Sequence, residues 1–123
     1  MIYITGDIHG NPEYLIYRAQ QLGVTKDDII VILGDVGANY YLNKRDDRMK
    51  EALNIYVEAT ILCIHGNHEA RPATVDGYYL TSFMGGRVWV QPEFPKLLFA
   101  HDGDIFTLAG KKCLVLGGAY SVD

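Results

Sequence analysis

Apolar residues run unbroken in three short stretches of the chain and recur at helical spacing between them. Residues 1–5, then Ile29-Ile30-Val31-Ile32-Leu33, then Thr60-Ile61-Leu62-Cys63-Ile64 are apolar runs of strand length. Between the first two, Leu15, Ala19 and Leu22 stand at i, i+4 and i+7; between the last two, Met49, Leu53 and Tyr56 repeat that spacing. The pattern predicts two amphipathic helices whose inner faces are made by those residues. Asn11-Pro12-Glu13 supplies a capping side chain, a proline suited to the first helical position and an acid for the first turn, and Gly23 ends the segment. Residues 43–47 lead into the second helix. Strand, helix, strand, helix, strand, with strands apolar throughout, predicts parallel pairing with helices on the faces of the sheet.

Beyond residue 69 the pattern changes. Residues 70–86 read as irregular, punctuated by Pro72, Gly77, Gly85 and Gly86. Short strands are predicted over 87–91, 97–100, 105–108 and 113–116. Turns at Gly103 and at Ala109-Gly110-Lys111 make at least one hairpin. The expected fold class is α/β: a parallel βαβαβ unit followed by short antiparallel strands, in one domain over residues 1–123.

Composition narrows the function classes. With 49% apolar and 21% charged residues the chain can bury a core, which argues against disorder. A net charge of -4 argues against a non-specific binder of nucleic-acid backbones, which needs a basic stripe. It leaves open a phosphate-ester substrate, because bound cations invert the local field. Cys63 and Cys113 both fall in strand-like apolar runs and read as buried free thiols of a reduced compartment. No signal peptide is visible and no apolar run reaches the length of a membrane span. The expectation is a soluble, cytoplasmic protein without a membrane partner.

The chemistry sits at the strand ends. GDIHG (6–10) follows the first run, GDVGAN (34–39) the second and HGNHE (65–69) the third. In an open parallel sheet, sites form outside the carboxyl ends of the strands. Asp7, His9, Asp35, Asn67 and His68 should therefore converge. Carboxylate, imidazole and amide oxygen together suit divalent Mn, Fe, Zn or Ni. Asp7 and His9 are two apart, so an extended segment would point both at one ion. Asp35, a single carboxylate between two groups of donors, is a natural bridge, and Asn67 offers an amide oxygen to a second ion. His68, adjacent to Asn67, would point elsewhere, as suits a proton donor. One Gly-Asp is ordinarily turn chemistry and one histidine ordinarily structural; three such clusters at three strand ends are neither. His65 is expected to be buried or to support the site, Glu69 to cap a turn or orient a neighbour, and His101 to lie in a strand-turn. Tyr40, Tyr41, Tyr78 and Tyr79 read as rim or core residues.

The ordered motifs Gly6-Asp7-Ile8-His9, Gly34-Asp35-Val36-Gly37-Ala38 and Gly66-Asn67-His68-Glu69 resemble the calcineurin-like metallophosphoesterase superfamily. GGRVWV (85–90) and GGAYSVD (117–123) are similar to a phage-associated branch of it. The resemblance implies an α/β sandwich with a dinuclear centre that activates water for attack on phosphorus. It implies Asp7, His9 and Asp35 on the first ion, Asp35 and Asn67 on the second, and His68 as general acid. It further implies Mn2+ as the cofactor and phosphate mono- or diesters, of nucleotides or nucleic acid, as substrates. Arg71 becomes a candidate phosphate contact. The family's later lone His and G-H-x-H have no counterpart here, since no histidine follows His101. The domain is thus expected to be incomplete at its C-terminus, to hold one ion rather than two, and to self-associate through an exposed apolar edge. The alternative that follows is a non-catalytic fragment or binding module keeping a partial metal site. Ala38 stands where a variant of the second motif has an Asp, and no arginine follows that motif, which weakens a phosphoprotein reading.

Overall fold

In the structure, a computed structural model that describes residues 1–118, the three apolar runs form the strands β1 (Ile2–Thr5), β2 (Ile29–Leu33) and β3 (Thr60–Ile64). The tail motif GGAYSVD lies, beyond Gly118, outside the described residues. Helices α1 (Glu13–Leu22) and α2 (Lys44–Tyr56) connect them. The five later strands are β4 (Tyr79–Phe83), β5 (Gly86–Val90), β6 (Leu97–Ala100), β7 (Ile105–Leu108) and β8 (Lys111–Leu114). A six-stranded sheet runs β1-β2-β3-β6-β5-β4, and β7-β8 form a separate hairpin. β1, β2, β3 and β6 are parallel; β5 runs against them, and β4, antiparallel to β5, runs with them again.

Alternation along the strands sorts the core onto two faces. Ile30, Ile32, Ile61, Cys63, Leu97 and Phe99 pack with Ala19 of α1 and with Met49 and Leu53 of α2. Their neighbours Ile29, Val31, Leu62, Leu98 and Ala100 pack on the opposite side with Phe106 and Leu108 of the hairpin. Both helices thus lie on one face and the hairpin covers the other. Phe106 is 0% exposed and its ring lies against Gly86, where an added Cβ would come within 2.6 Å of it. Burial of such a ring contributes roughly 2–3 kcal/mol. The hairpin leaves the β1–β2 end of its face bare, with Ile4 68% and Leu33 50% exposed.

Several local expectations are corrected. Leu22 and Tyr56 are exposed; Val24 and Val57, just past the helix ends, are buried in their place. Each chain turns inward after its last helical residue, at Gly23 in left-handed conformation and at Val57 in extended conformation. The stretch 70–86 is not wholly irregular: it holds a 3-10 turn (Pro72–Thr74) and strand β4. Four of the five β4 residues are exposed, so this edge strand has no buried apolar face to announce it. Met84 and Gly85 (φ 50° and 88°) and Ala109 and Gly110 (φ 52° and 78°) form two-residue hairpin turns of the kind that needs positive φ twice. Cys63 is buried as expected, but Cys113 is only partly buried, on a strand whose other residues are exposed. No helix among the described residues is long and apolar enough to cross a membrane.

Candidate metal centre

β1, β2 and β3 end side by side, and the three loops that leave them are laced together by backbone bonds centred on Asp35. Ile8 and His9 donate successive N–H groups to the Asp35 carbonyl (3.3 and 2.8 Å), and Gly10 donates to Val36 (2.8 Å). Two consecutive donors on one carbonyl require a curled chain, and His9 accordingly sits at φ 47°. Asp35 follows Gly34 (φ 82°) and is itself at φ 39°. Left-handed backbone at two non-glycine residues is uncommon and costs energy, and such strain gathers at functional sites. Gly37 fits against Gly10 so closely that a Cβ would lie 2.2 Å from its nitrogen. Gly66 fits against Asp35 so that a Cβ would lie 1.9 Å from Oδ1.

The Glu69 carboxylate ties the second and third loops. It accepts from the backbone N–H of Val36 (3.0 Å) and Gly37 (3.1 Å) on one loop and of Gly66 (2.8 Å) on the other. Asp35, now fixed in place, accepts from His68 twice, at 3.0 Å from the backbone N–H and at 2.8 Å from Nδ1. Its side chain is 13% exposed. Burial pulls its carboxyl up, but the hydrogen bonds from the His68 ring and backbone, helped by the charges of His68 and His9, prevail and hold it below the ordinary value.

Asp7, His9 and Asp35 present one donor atom each, all within 4.8 Å of one another. His9 Nε2 touches Asp7 Oδ2 directly. The pair meets through the turn at His9, not through the extended segment expected from its spacing. One imidazole nitrogen and two carboxylate oxygens are a donor set for a first-row divalent ion. At bond lengths of about 2.0–2.2 Å neighbouring donors stand about 3–3.5 Å apart, so the Asp7–His9 contact would open to admit a cation. The residues present fit the metal.

His68 joins the cluster through Asp35, its ring centroid 6.4 Å from that of His9. Asn67 is exposed, and its amide nitrogen lies 3.4 Å from His68 Nε2, the ring nitrogen turned away from Asp35. Arg71 leaves the same loop, and its guanidinium stands 3.5 Å from Asp102 Oδ2. His65 is buried, as expected, with Nε2 also 3.5 Å from Asp102. Asp102, which sequence reasoning missed, is the acid common to both. His101 lies apart from the centre: it stacks on Trp89 (6.3 Å, 23°) with Nδ1 3.2 Å from Asp104. Asn39 is buried, and its Oδ1 accepts from the Tyr78 hydroxyl (3.1 Å). A cavity of about 410 Å³ opens over the centre, lined by His9, Asp35, His68, Gly10, Gly37 and the rings of Tyr40 and Tyr41.

A family description of calcineurin-like phosphoesterases matches residues 1–122, and the chain belongs to that family. No curated protein and no solved structure matches it. The family implies phosphate-ester substrates and divalent metal ions.

Proposed function

We propose that this chain is a metal-dependent phosphoesterase, hydrolysing phosphate mono- or diesters at the centre built on Asp7, His9 and Asp35. The observation that carries this is the convergence of those three donors from two strand ends onto one point. A divalent cation bound there would acidify a water and offset charge on the phosphoryl oxygens. Mn2+ is the proposed ion, with Fe, Zn and Ni sharing the donor preference. Asp35 and Asn67 are the proposed donors to a second ion.

The chain's own residues supply the rest. Asp35 accepts from His68 Nδ1, so Nδ1 carries a hydrogen and Nε2 is the atom that gives or takes a proton. Fixed in this way, the ring is proposed to protonate the departing oxygen. Glu69 and the glycine contacts hold the donors where a flexible loop would not. Arg71, 59% exposed beside Asp102, is proposed as a phosphate contact. The bare apolar strip at Ile4 and Leu33 is proposed as a contact between copies, and a cytoplasmic setting is proposed from the free thiols.

The test is hydrolysis of p-nitrophenyl phosphate and bis-p-nitrophenyl phosphate after loading with Mn2+, alongside elemental analysis of wild type and Asp35→Asn. Turnover abolished by chelation, together with a loss of bound metal in Asp35→Asn larger than for Asn67→Ala, is expected. Undiminished metal in Asp35→Asn sinks the bridging role. Tight metal without turnover favours the second reading, a binding module.

A further inference from the structure

Among the described residues, Tyr40 and Tyr41 are the tyrosines that line the cavity over the candidate metal centre. They are 59% and 49% exposed and meet edge to face, ring centroids 4.9 Å apart. Other tyrosines are as exposed, among them Tyr14 and Tyr17, so what sets this pair apart is its place beside the centre. The pair is also held. The buried Asp46 carboxylate accepts from the backbone N–H of Tyr41 (3.1 Å) and Leu42 (2.6 Å), and Leu42 turns the chain at φ 58°. The Arg45 guanidinium lies 4.1 Å from the centre of the Tyr41 ring. The backbone beneath the pair and the Tyr41 ring are thus held by the protein itself, which lowers the entropy a ligand must give up.

The cavity volume, about 410 Å³, falls in the range of clefts that take whole ligands, so there is room beyond a phosphoryl group. An aromatic wall suits a planar ring stacked upon it. The Arg45 guanidinium covers a face of the Tyr41 ring and does not line the cavity, so it steadies the ring rather than meets the ligand. The net charge of -4 disfavours a long polyanion and leaves a small molecule.

We infer that Tyr40 and Tyr41 form a base-stacking subsite, so that the preferred substrate is a nucleoside phosphate whose base rests on this wall while its phosphate meets the metal centre. The inference rests on the phosphoesterase reading.

The test compares a nucleoside 5′-monophosphate with ribose 5-phosphate, which present the same primary phosphate and differ only in the base. Wild type should prefer the nucleotide about tenfold or more in kcat/KM, expressed in KM. Tyr40→Ala and Tyr41→Ala should bring the ratio toward one, and Tyr40→Phe, which keeps a ring, should restore it. Binding of free adenosine against ribose by metal-free protein, followed by saturation-transfer NMR, reports the subsite even where nothing is hydrolysed. Loss of hydrolysis of both esters with adenosine binding intact therefore counts against the enzyme reading alone. Equal use of both phosphates, or adenosine binding unchanged in both alanine variants, overturns the subsite. Phenyl phosphate used as well as the nucleotide overturns the assignment to a base. A short single strand bound more tightly than the mononucleotide overturns the small-molecule assignment.

Discussion

His68 holds Asp35 at both carboxylate oxygens, with its backbone N–H on Oδ1 and its ring nitrogen Nδ1 on Oδ2. The two contacts are separable, because the first does not depend on the side chain. His68→Ala removes the ring but keeps the backbone bond that places Asp35. Metal content should stay near the wild-type level while turnover falls by about 10² to 10⁴, the usual range for a proton-transfer residue. The loss should be greater for an alkyl phosphate, a poor leaving group, than for p-nitrophenyl phosphate. Equal losses on both would show that the ring does not donate the proton.

Gly37 and Gly23 separate the needs of the site from the needs of the fold. Both have positive φ, 79° and 67°. A Cβ at Gly23 meets nothing within 4 Å, whereas at Gly37 it would lie 2.2 Å from the backbone of Gly10. Gly23→Ala should cost about 1 kcal/mol of stability through the backbone alone and leave metal content unchanged. Gly37→Ala must push the first loop away and carry His9 with it, so bound metal should fall several-fold even in the folded fraction. Elemental analysis on gel-filtered protein, with unfolding curves beside it, checks both. Equal metal in the two variants would mean that the loop contact does not place His9.

The pairing of Asp104 with Arg87 makes a pH-dependent prediction. Asp104 accepts from the Arg87 backbone N–H (3.0 Å), Nε (2.9 Å) and Nη2 (2.8 Å), tying the start of β7 to β5. Those bonds, Arg87 first, hold the Asp104 carboxyl down at about 2, and His101 adds to the effect. A carboxyl lowered in the folded state stabilises it above the unfolded value, and that contribution is lost as pH falls through the folded value. The stability gap between wild type and Asp104→Asn should be full above pH of about 4 and should narrow as pH falls toward 2. Urea titrations across that range measure it, and a gap independent of pH would remove the ion pair from the account.

What was legible in the sequence was whatever depended on periodicity and on the strand ends. The runs at 29–33 and 60–64 are strands at those bounds, since parallel strands covered on both faces read as near-continuous apolar runs. The three motifs meet because parallel strands put their carboxyl ends on one edge. Strand β4 was hidden because its exposed residues carry no alternation of burial, and Leu22 and Tyr56 misled because spacing says nothing of where a helix ends against its neighbours. The turn at His9 was also hidden, since it answers to the Asp35 carbonyl across the sheet. Asp102 and Asp46 had no motif to mark them; only the folded chain shows the first beside Arg71 and His65 and the second under the Tyr41 backbone.

Glu69 offers the test that distinguishes a clamp from a ligand. It belongs to the third motif, between the proposed proton donor His68 and the loop that leads to Arg71, and a carboxylate there could in principle bind metal. Its oxygens instead accept three backbone N–H groups from two loops. Glu69→Ala would strand those partly buried donors, and the loss should reach roughly 2–4 kcal/mol, part of it recovered where water enters. Glu69→Gln keeps one accepting oxygen and should lose less. A clamp works whether or not an ion is bound, so the destabilisation should be present in EDTA and similar in size with Mn2+. The drop in metal affinity should follow from the loosened Gly66 and Val36 loops, and Glu69→Gln should recover part of it. Thermal unfolding of the three proteins, each with chelator and with Mn2+, reads out both effects. A variant as stable as wild type in EDTA and weakened only in Mn2+ would make Glu69 a metal ligand, and the triple backbone contact would then be a feature of the metal-free centre alone.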